Sequence, residues 1–248
     1  MENWIEHIVE PKRLYLAWQA PEALKDRFRW AVGVLERRED KVRFRYIDDG
    51  HEFSRLNGER SKADLRTLGY RGYPAFSTNR SVHERNVLET FLRRLPPRKR
   101  ADFADYLKQF RLPAGAEMSD FALLGLTGAK LPSDWFSLVD PLDPEVETCE
   151  HVIEVAGCRY QENVPELQPG DQVRFVPEPE NPRDPNAVAI HAKNAKIGYV
   201  NRLQAKTFRQ WLQKRNLTGA VQRMNGKRQR PLVFCFVRVR PARMKAVA

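Results

Sequence analysis

Alternating apolar and basic side chains mark one stretch near the amino terminus. In residues 41–47 every second side chain is apolar and those between are mostly basic, which is typical of a strand with one buried face. An apolar run at residues 30–35 precedes it, and a charged segment around Glu39 and Asp40 separates the two. We therefore predict a β-hairpin. The side chains expected to face its core are Val42, Phe44 and Tyr46.

From residue 83 onward the apolar side chains recur at helical spacing. The stripe that begins at Val87 is interrupted by Pro96 and Pro97, which end a helix because proline lacks the backbone donor. Ser119 is suited to cap a later helix, since its hydroxyl can accept a hydrogen bond from the first turn. Four helices are predicted, over residues 87–95, 103–110 and 120–126 and beginning at residues 133–138.

The second half of the chain shows short apolar runs separated by Pro, Gly and Asn clusters. Short strands with one helix in about 100 residues favour a small barrel over a sandwich. An acidic, proline-containing stretch at residues 139–148 separates the two patterns and is predicted to be a linker. The predicted strands are 152–158, 173–176, 187–191, 197–200, 218–224 and 232–239, with a helix over 204–217 and a turn at Asn225 and Gly226.

These patterns predict an α+β chain of two domains. Residues 1–138 would form a mixed α/β domain of a hairpin with helices, and residues 149–248 a small β-barrel with one main helix. The net charge of +11 changes the picture of the second domain. Residues 1–200 hold 30 basic and 32 acidic residues, whereas residues 201–248 hold 13 basic residues and no Asp or Glu. This basic end is interpreted as a nucleic-acid contact rather than merely a soluble face.

Several classes of protein find no support in the sequence. No apolar run approaches the about 20 residues that span a bilayer. The first residues are acidic and lack a basic region followed by an apolar one, so we do not expect them to be a signal peptide. The three cysteines and five histidines lack the spacing of a zinc site, so buried free thiols are expected. Residues 125–130 lack the spacing of a phosphate-binding loop, and the acids of the linker are interpreted as solvated. We expect no catalysis, no cofactor, no membrane association, and a cytoplasmic location, nucleoid-associated in a bacterium.

The most informative segment is residues 178–190, which begins Glu-Pro-Glu-Asn-Pro-Arg-Asp-Pro-Asn. Its Asn-Pro and Asp-Pro pairs force an extended or turned loop. Asn181 and Asp184 would ordinarily hydrogen-bond the local backbone, and they could instead point toward a ligand hydroxyl or a base edge. Both interpretations remain open at this point.

Three motifs together resemble the HIRAN domain. They are Val-Ala-Gly-Cys-Arg-Tyr at residues 155–160, the segment at 178–188, and Lys-Ile-Gly-Tyr-Val-Asn-Arg at 196–202. The resemblance covers about residues 150–240. It implies an OB-like β-barrel that binds single-stranded DNA, in some members at a free 3′ end.

The resemblance also assigns roles to single residues. It implies that Tyr160 stacks on a terminal base, that Arg159 meets phosphate, and that Asp184 accepts a hydrogen bond from a terminal 3′-hydroxyl. Asn181 would line the same pocket. A stacked base contributes about 1–3 kcal/mol to binding.

Further contacts are expected around this pocket. Tyr199 and Arg202 would follow the DNA backbone, and Lys206 and Arg209 add charge on the predicted helix. Arg183 stands where end-binding relatives can have a second aromatic, although a guanidinium can also stack on a base. The predicted DNA-binding set is Arg159, Tyr160, Asn181, Arg183, Asp184, Tyr199, Arg202, Lys206 and Arg209.

Residues 27–138 show a weaker resemblance to the N-terminal subdomain of HipA-type kinases. It rests on residues 30–35, 44–46, 91–96 and 121–128 and implies a docking module without ATP chemistry. Three functions stay open. The first is a DNA-binding adaptor with a protein partner, in DNA repair, replication or mobile-element defence. The second is a protein-interaction regulator of a HipA-type kinase, and the third is a nuclease or hydrolase.

Overall fold

The computed structural model describes residues 3–24, 28–39, 41–131, 134–227 and 230–242. The chain forms two compact units. The N-terminal unit consists of Glu10–Phe103 and Glu117–Pro141, and the C-terminal unit of Met1–Val9, Ala104–Ala116 and Leu142–Ala248. Each unit has its own antiparallel sheet, as the predicted α+β class requires.

The described residues of the N-terminal unit form a five-stranded sheet. The predicted hairpin is confirmed, because β2 and β3 pair antiparallel with Leu35 opposite Phe44. Val42, Phe44 and Tyr46 are buried, and the basic residues between them are not. Asp40 of the predicted turn lies outside the described residues. The strands, in the sheet order β4-β3-β2-β1-β5, are β1 (Arg13–Gln19), β2 (Arg29–Arg38), β3 (Lys41–Tyr46), β4 (Val82–His83) and β5 (Phe136–Val139).

Three of the four predicted helices are confirmed. The Oγ of Ser119 accepts a hydrogen bond of 3.0 Å from the Ala122 N–H, so the predicted cap is present as well. The fourth helix is wrong, because Phe136–Val139 is strand β5 and pairs with β1. An apolar run this short carries no decisive period, and the open edge of β1 determines its conformation. The helices are α1 (His51–Leu56), α2 (Lys62–Thr67), α3 (Val87–Leu92), α4 (Phe103–Gln109) and α5 (Asp120–Thr127).

The described residues of the C-terminal unit form a six-stranded sheet in the order β6-β11-β10-β7-β8-β9. Helix α6 (Arg202–Lys214) follows β9, and its apolar side places Phe208 and Trp211 in the core beside Phe175. All three cysteines are buried in this unit without a disulfide. The strands are β6 (Cys149–Glu154), β7 (Gln172–Pro177), β8 (Val188–Ala192), β9 (Ala195–Tyr199), β10 (Arg215–Lys227) and β11 (Arg230–Pro241).

In the part of the unit that the structure describes, the two edges of this sheet meet at one residue pair. Just beyond β6, Ala156 and Tyr199 exchange two backbone hydrogen bonds of 2.8 Å each. A Cβ on Gly198, which has a φ of 146°, would lie 2.5 Å from the Ala156 carbonyl oxygen, so this approach requires glycine. The β-rich fold is consistent with the predicted OB-like fold. In the described residues, however, the sheet does not close into a continuous barrel.

The hairpin of β10 and β11 extends further than its sequence indicates. Asn225 and Gly226 were expected to form the turn, but they are paired with Leu232 and Pro231 within the ladder. The helix predicted to reach residue 217 ends at Lys214, and Leu217 pairs with Val239. Both differences have one cause. The long β11 strand supplies partners along the whole of β10, and this pairing overrides the local turn and helix signals.

Candidate nucleic-acid interface

An exposed aromatic side chain lies on a short turn next to the bridge between the sheet edges. Gly157, with a φ of 71°, leads into a single 3-10 turn at Cys158–Tyr160. The Cys158 side chain is buried, whereas Tyr160 is 63% exposed. The guanidinium of Arg159 lies 4.6 Å from the centroid of the Tyr160 ring and also donates a hydrogen bond to the Tyr160 hydroxyl. The turn therefore presents a flat ring with a cation beside it.

Tyr199 brings a second aromatic ring to the same glycine. A Cβ placed on Gly157 would lie 4.0 Å from a ring carbon of Tyr160 and 4.0 Å from a ring carbon of Tyr199. The bridge of Tyr199 to Ala156 fixes this neighbourhood through the backbone. Two of the predicted stacking and backbone-following residues therefore lie together, although they are 39 positions apart in the sequence.

A hydrogen-bond network fixes the hydroxyl end of Tyr199. The Tyr199 hydroxyl donates to Oε2 of Glu178 over 3.0 Å, and the Lys196 ammonium donates to the Tyr199 hydroxyl over 2.9 Å and to Oε1 of Glu178 over 3.1 Å. Asn181 donates to Oε2 of the same carboxylate over 2.9 Å. The Glu178 carboxylate thereby ties the loop that it begins to strand β9.

The pKa values in this network reflect its charges. Burial alone would raise the pKa of the Glu178 carboxyl, but hydrogen bonds from Asn181, Lys196 and Tyr199 outweigh burial and lower it. The hydrogen bonds of Lys196 to Tyr199 and Glu178 raise the pKa of its ammonium. Both groups are therefore charged at neutral pH.

The loop at residues 178–187 uses its Asn and Asp side chains locally. Oδ1 of Asn181 accepts a hydrogen bond of 3.0 Å from the Arg183 N–H, and Oδ1 of Asp184 accepts one of 2.8 Å from the Asn186 N–H. The local interpretation therefore holds for the single side-chain oxygen of Asn181 and for one of the two carboxylate oxygens of Asp184. Arg183 is exposed, and Asp184 is partly exposed.

Helix α6 presents three basic residues beside this loop. Arg202, Lys206 and Arg209 are spaced by four and three positions, which places them on one face of the helix. The Arg209 guanidinium donates to the Pro185 carbonyl oxygen and lies 3.4 Å from Oδ1 of Asn186. Arg209 thus holds the loop against the helix, while Lys206 remains exposed.

The structure connects most of the predicted set. Contacts join Arg159 to Tyr160, Asn181 to Tyr199 through Glu178, and Arg209 to the loop. Sequence reasoning did not select Glu178 and Lys196, although both lie within the motifs that carried the resemblance. No local spacing indicated Lys196, because positions i and i+3 of a regular strand face opposite sides of a sheet. The register shift in the pairing of β8 with β9 brings its ammonium to the Tyr199 hydroxyl.

Other cations of the basic end are bound to groups that come from outside it. Lys214 pairs with Glu145 over 3.4 Å, and Arg215 donates to the carbonyl oxygens of Val146 and Glu145 over 3.0 and 3.2 Å. Arg223 donates to the Gln109 carbonyl oxygen and lies 4.1 Å from the Phe234 ring. The excess of charge in residues 201–248 is therefore partly used to hold the unit together.

A further set of charged side chains surrounds the buried carboxylate of Glu150. We call it the Glu150 cluster (Glu150, His7, Arg238 and Arg240). The Glu150 side chain is 1% exposed, and its carboxylate accepts a hydrogen bond from Arg240 and another, of 2.8 Å, from the His7 N–H. Arg238 lies 3.9 Å from Oε1. Burial would raise the pKa of this carboxyl, but the hydrogen bonds from Arg240 and His7 outweigh burial and lower it.

Three arginines of the basic run at residues 93–100 are also bound internally. Arg94 is buried and pairs with Asp134 over 2.6 Å, while Arg98 pairs with Asp120 and Arg100 with Asp102. These three cations therefore have acidic partners within the N-terminal unit. In the part of the chain that the structure describes, no group of three His, Cys, Asp or Glu side chains is placed to hold a metal ion. None of the described helices combines the length and apolar character needed to cross a membrane.

Comparison with known proteins identifies the segment that carries this interface. Residues 149–240 match the family model of the HIRAN domain, so the resemblance found in the sequence is confirmed. Because the HIRAN domain is a DNA-binding domain, the match supports nucleic-acid binding by this chain. No curated protein matches the chain.

Two solved structures are similar to part of the chain. One is the HIRAN domain of human HLTF, 19% identical, covering 36% of this chain and 74% of that one with a TM-score of 0.31. The other is a protein from Lactobacillus plantarum, 25% identical, covering 38% of this chain and 95% of that one with a TM-score of 0.33.

Proposed function

We propose that this chain is a non-catalytic DNA-binding adaptor whose C-terminal unit binds single-stranded DNA at free 3′ ends. The observation that carries the proposal is the exposed Tyr160 ring with Arg159 against it, next to Tyr199 and within the segment that matches the HIRAN domain. An exposed aromatic ring beside a cation is the arrangement that binds a base and its phosphate without reading the sequence.

The proposal gives each part of the interface a task. Tyr160 stacks on the terminal base, and Arg159 moves from the Tyr160 hydroxyl to the phosphate. Asp184 has one oxygen in its local hydrogen bond and offers the other to a 3′-hydroxyl. Asn181 keeps its loop in place through Glu178.

The remaining residues follow the strand. Tyr199, Arg202 and Lys206 face the backbone, and Arg183 is free to stack because it is exposed on the loop. Arg209 acts by holding that loop. The setting we propose is DNA repair, replication or mobile-element defence in the cytoplasm, with a protein partner recruited by the N-terminal unit.

A binding series on four DNA substrates tests the proposal. Oligonucleotides with a 3′-hydroxyl should bind more tightly than those with a 3′-phosphate, an internal single strand or a blunt duplex. Tyr160→Ala and Asp184→Ala should reduce binding to the 3′-hydroxyl end more than to the others. Equal losses on every substrate would leave only a general DNA-binding surface and refute end recognition.

Salt dependence provides a second test. Neutralising roughly 4–6 phosphates of a single strand predicts a slope near −3 to −4 in a plot of log affinity against log salt. An affinity that stays constant between low and moderate salt would contradict an electrostatic interface.

One observation favours the alternative, a protein-interaction regulator of a HipA-type kinase. In the N-terminal unit, the large apolar side chains Leu24 and Trp135 are 49% and 44% exposed. Exposed aromatic side chains are enriched at protein interfaces. Coexpression with a HipA-type kinase that lacks its own N-terminal subdomain tests this function. A complex that Trp135→Ala disrupts would support it, and the absence of any complex would refute it.

A further inference from the structure

The outer face of β7, β8 and β9 carries a row of basic side chains. Val173, Ile190 and Ile197 point into the core, so their neighbours in these strands point outward. The strand register places Arg174 opposite His191 and His191 opposite Lys196. Side chains that are directly opposite in an antiparallel pair have their Cβ atoms about 4.5–5.5 Å apart. The three therefore form one continuous row across the sheet.

The row differs from the paired cations elsewhere in the unit. Among the side chains that the structure describes, Arg174 and His191 have no hydrogen-bond or ion-pair partner, and Arg174 is exposed. Lys196, at the other end of the row, is held by Glu178 and Tyr199. The row thus begins at Lys196, in the hydrogen-bond network of Tyr199, and ends at the exposed guanidinium of Arg174.

A neighbouring row on the same face is apolar. Val176 lies opposite Ala189, and Ala189 lies opposite Tyr199. Val176 is 38% exposed, although it is a large apolar residue in a strand. Ala189 is buried, so the apolar surface that this row exposes consists of Val176 and the partly exposed Tyr199, beside the basic row that begins at Lys196.

We propose that Arg174 and His191 form a second phosphate-binding subsite, which takes the nucleotides that precede the 3′-terminal one in a single strand. This inference rests on the proposed function, since the strand would enter across β7 and end at Tyr160. Bases and sugars would contact Val176 and Tyr199 while phosphates follow the basic row, the arrangement of stacking platform and basic groove that single-strand binders use.

The electrostatics of His191 agree with this assignment. Burial lowers the pKa of the imidazole, and the charges of Arg174 and Lys196 lower it further against the opposing effect of Glu178. A bound phosphate would offset those two cations and favour the protonated ring. Affinity should therefore rise as pH falls through the lowered pKa, below the ordinary value of 6.5.

Oligonucleotide length separates this subsite from the end pocket. Oligothymidylates of two and of eight nucleotides, both with a 3′-hydroxyl, are titrated against the full chain by fluorescence anisotropy. We expect Arg174→Gln to weaken binding of the eight-mer about three- to tenfold and to reduce its salt slope by about 0.7. His191→Gln should weaken eight-mer binding by a similar factor below pH 6.5, where phosphate favours the protonated ring. Binding of the two-mer should stay unchanged, and the rise in eight-mer affinity at low pH should disappear in His191→Gln.

The control variant is Lys108→Gln, which removes one exposed cation of the same unit that is paired with Asp105. It should leave both oligonucleotides bound as in the unmodified chain. If the double variant Arg174→Gln/His191→Gln binds the eight-mer normally, or loses both lengths equally, the second subsite is refuted while end binding stands. If the unmodified chain binds neither oligonucleotide, the proposed function itself fails.

Discussion

The Glu150 cluster and the candidate interface both contain several basic side chains of the C-terminal unit, but the surroundings of these side chains differ. In the Glu150 cluster, Arg240 is bound to a carboxylate that is 1% exposed, and the amino-terminal segment contributes the His7 N–H. In the candidate interface, the cations of Arg183 and Lys206 are exposed, and Arg159 lies on the exposed ring of Tyr160. Basic residues of the same unit are therefore bound to a buried carboxylate in one region and exposed to solvent in the other.

A count of charges in a segment therefore does not show how many of its cations are free to bind DNA. Residues 201–248 contain no acid, yet Glu145 and Glu150 reach cations of this segment from earlier in the chain. A cation already bound to a buried carboxylate contributes to stability and releases no counterion from DNA. Only the exposed members remain available for phosphates. Substitutions in the two regions should therefore separate stability from binding.

The largest effect is expected from Glu150→Ala. Removing one partner of a buried charge pair typically costs several kcal/mol, and we expect a loss of about 3 kcal/mol in the free energy of unfolding of the C-terminal unit. Urea unfolding followed by hydrogen exchange of peptides from β6 and β11 measures this loss. Glu162→Ala, an exposed acid of the same unit, should be neutral. A Glu150→Ala unit as stable as the unmodified one would mean that the cluster does not hold the fold.

Glu150 also predicts how stability depends on pH. Its lowered pKa means that its contribution is present above the ordinary value of 4.5 and is lost as pH falls through the lowered value. The unfolding free energy of the unmodified chain should therefore drop in acid more steeply than that of Glu150→Gln. Parallel curves for the two proteins would contradict the lowered pKa.

Tyr160→Ala should have the next largest effect, and on binding alone. Loss of one stacked base corresponds to about 1–3 kcal/mol, or about a 5- to 150-fold weaker affinity for single-stranded DNA. Stability should not change, since the side chain is 63% exposed. Tyr160→Phe keeps the ring and removes only the hydroxyl that accepts a hydrogen bond from Arg159, so this variant should retain most of the affinity. Anisotropy titrations measure both variants, and a Tyr160→Ala affinity equal to that of the unmodified chain would remove Tyr160 from the interface.

Lys206→Gln should produce a smaller change, of about two- to fivefold in affinity, because it removes one exposed cation. Its diagnostic result is a reduction of about 0.7 in the salt slope for a single strand. The same slope in the variant and the unmodified chain would show that α6 does not contact phosphate.

The smallest effect is expected from Arg238→Gln, in the Glu150 cluster. Arg238 lies 3.9 Å from Glu150 and is only partly buried, so its loss should change DNA affinity by less than about twofold and leave the salt slope unaltered. A change as large as that of Lys206→Gln would abolish the distinction between the two regions.

Sequence pattern predicted those elements whose periodicity is strong. The alternation around Phe44, the capped helix after Ser119 and the amphipathic helix with Phe208 all appear as expected. Partner strands decided the rest. Phe136–Val139 became a strand because β1 offers an edge, and Asn225 and Gly226 joined a ladder because β11 continues opposite them.

The candidate interface divides in the same way. The resemblance to the HIRAN motifs selected Tyr160 and Tyr199, and the fold places their rings against Gly157. Pairings over long sequence separation were not predictable, such as that of Glu150 with His7, because no local pattern indicates which acid meets which cation. The unpartnered state of Arg174 and His191 likewise depends on strand register, which short strands specify poorly from sequence.

The bridge between Ala156 and Tyr199 has a consequence for how the molecule opens. In the described residues, Ala156, two positions beyond β6, and Tyr199 of β9 share two hydrogen bonds, whereas β10 and β11 are paired over most of their length. Breathing motions should begin where the fewest bonds must break, so the amides of Ala156 and Tyr199 should take up deuterium before those of the long hairpin. A nucleotide stacked on Tyr160 and Tyr199 would contact both segments that the bridge joins, and it would stabilise the bridge. DNA binding and opening of the bridge would then be linked, so bound DNA should slow deuterium uptake at the amides of Ala156 and Tyr199.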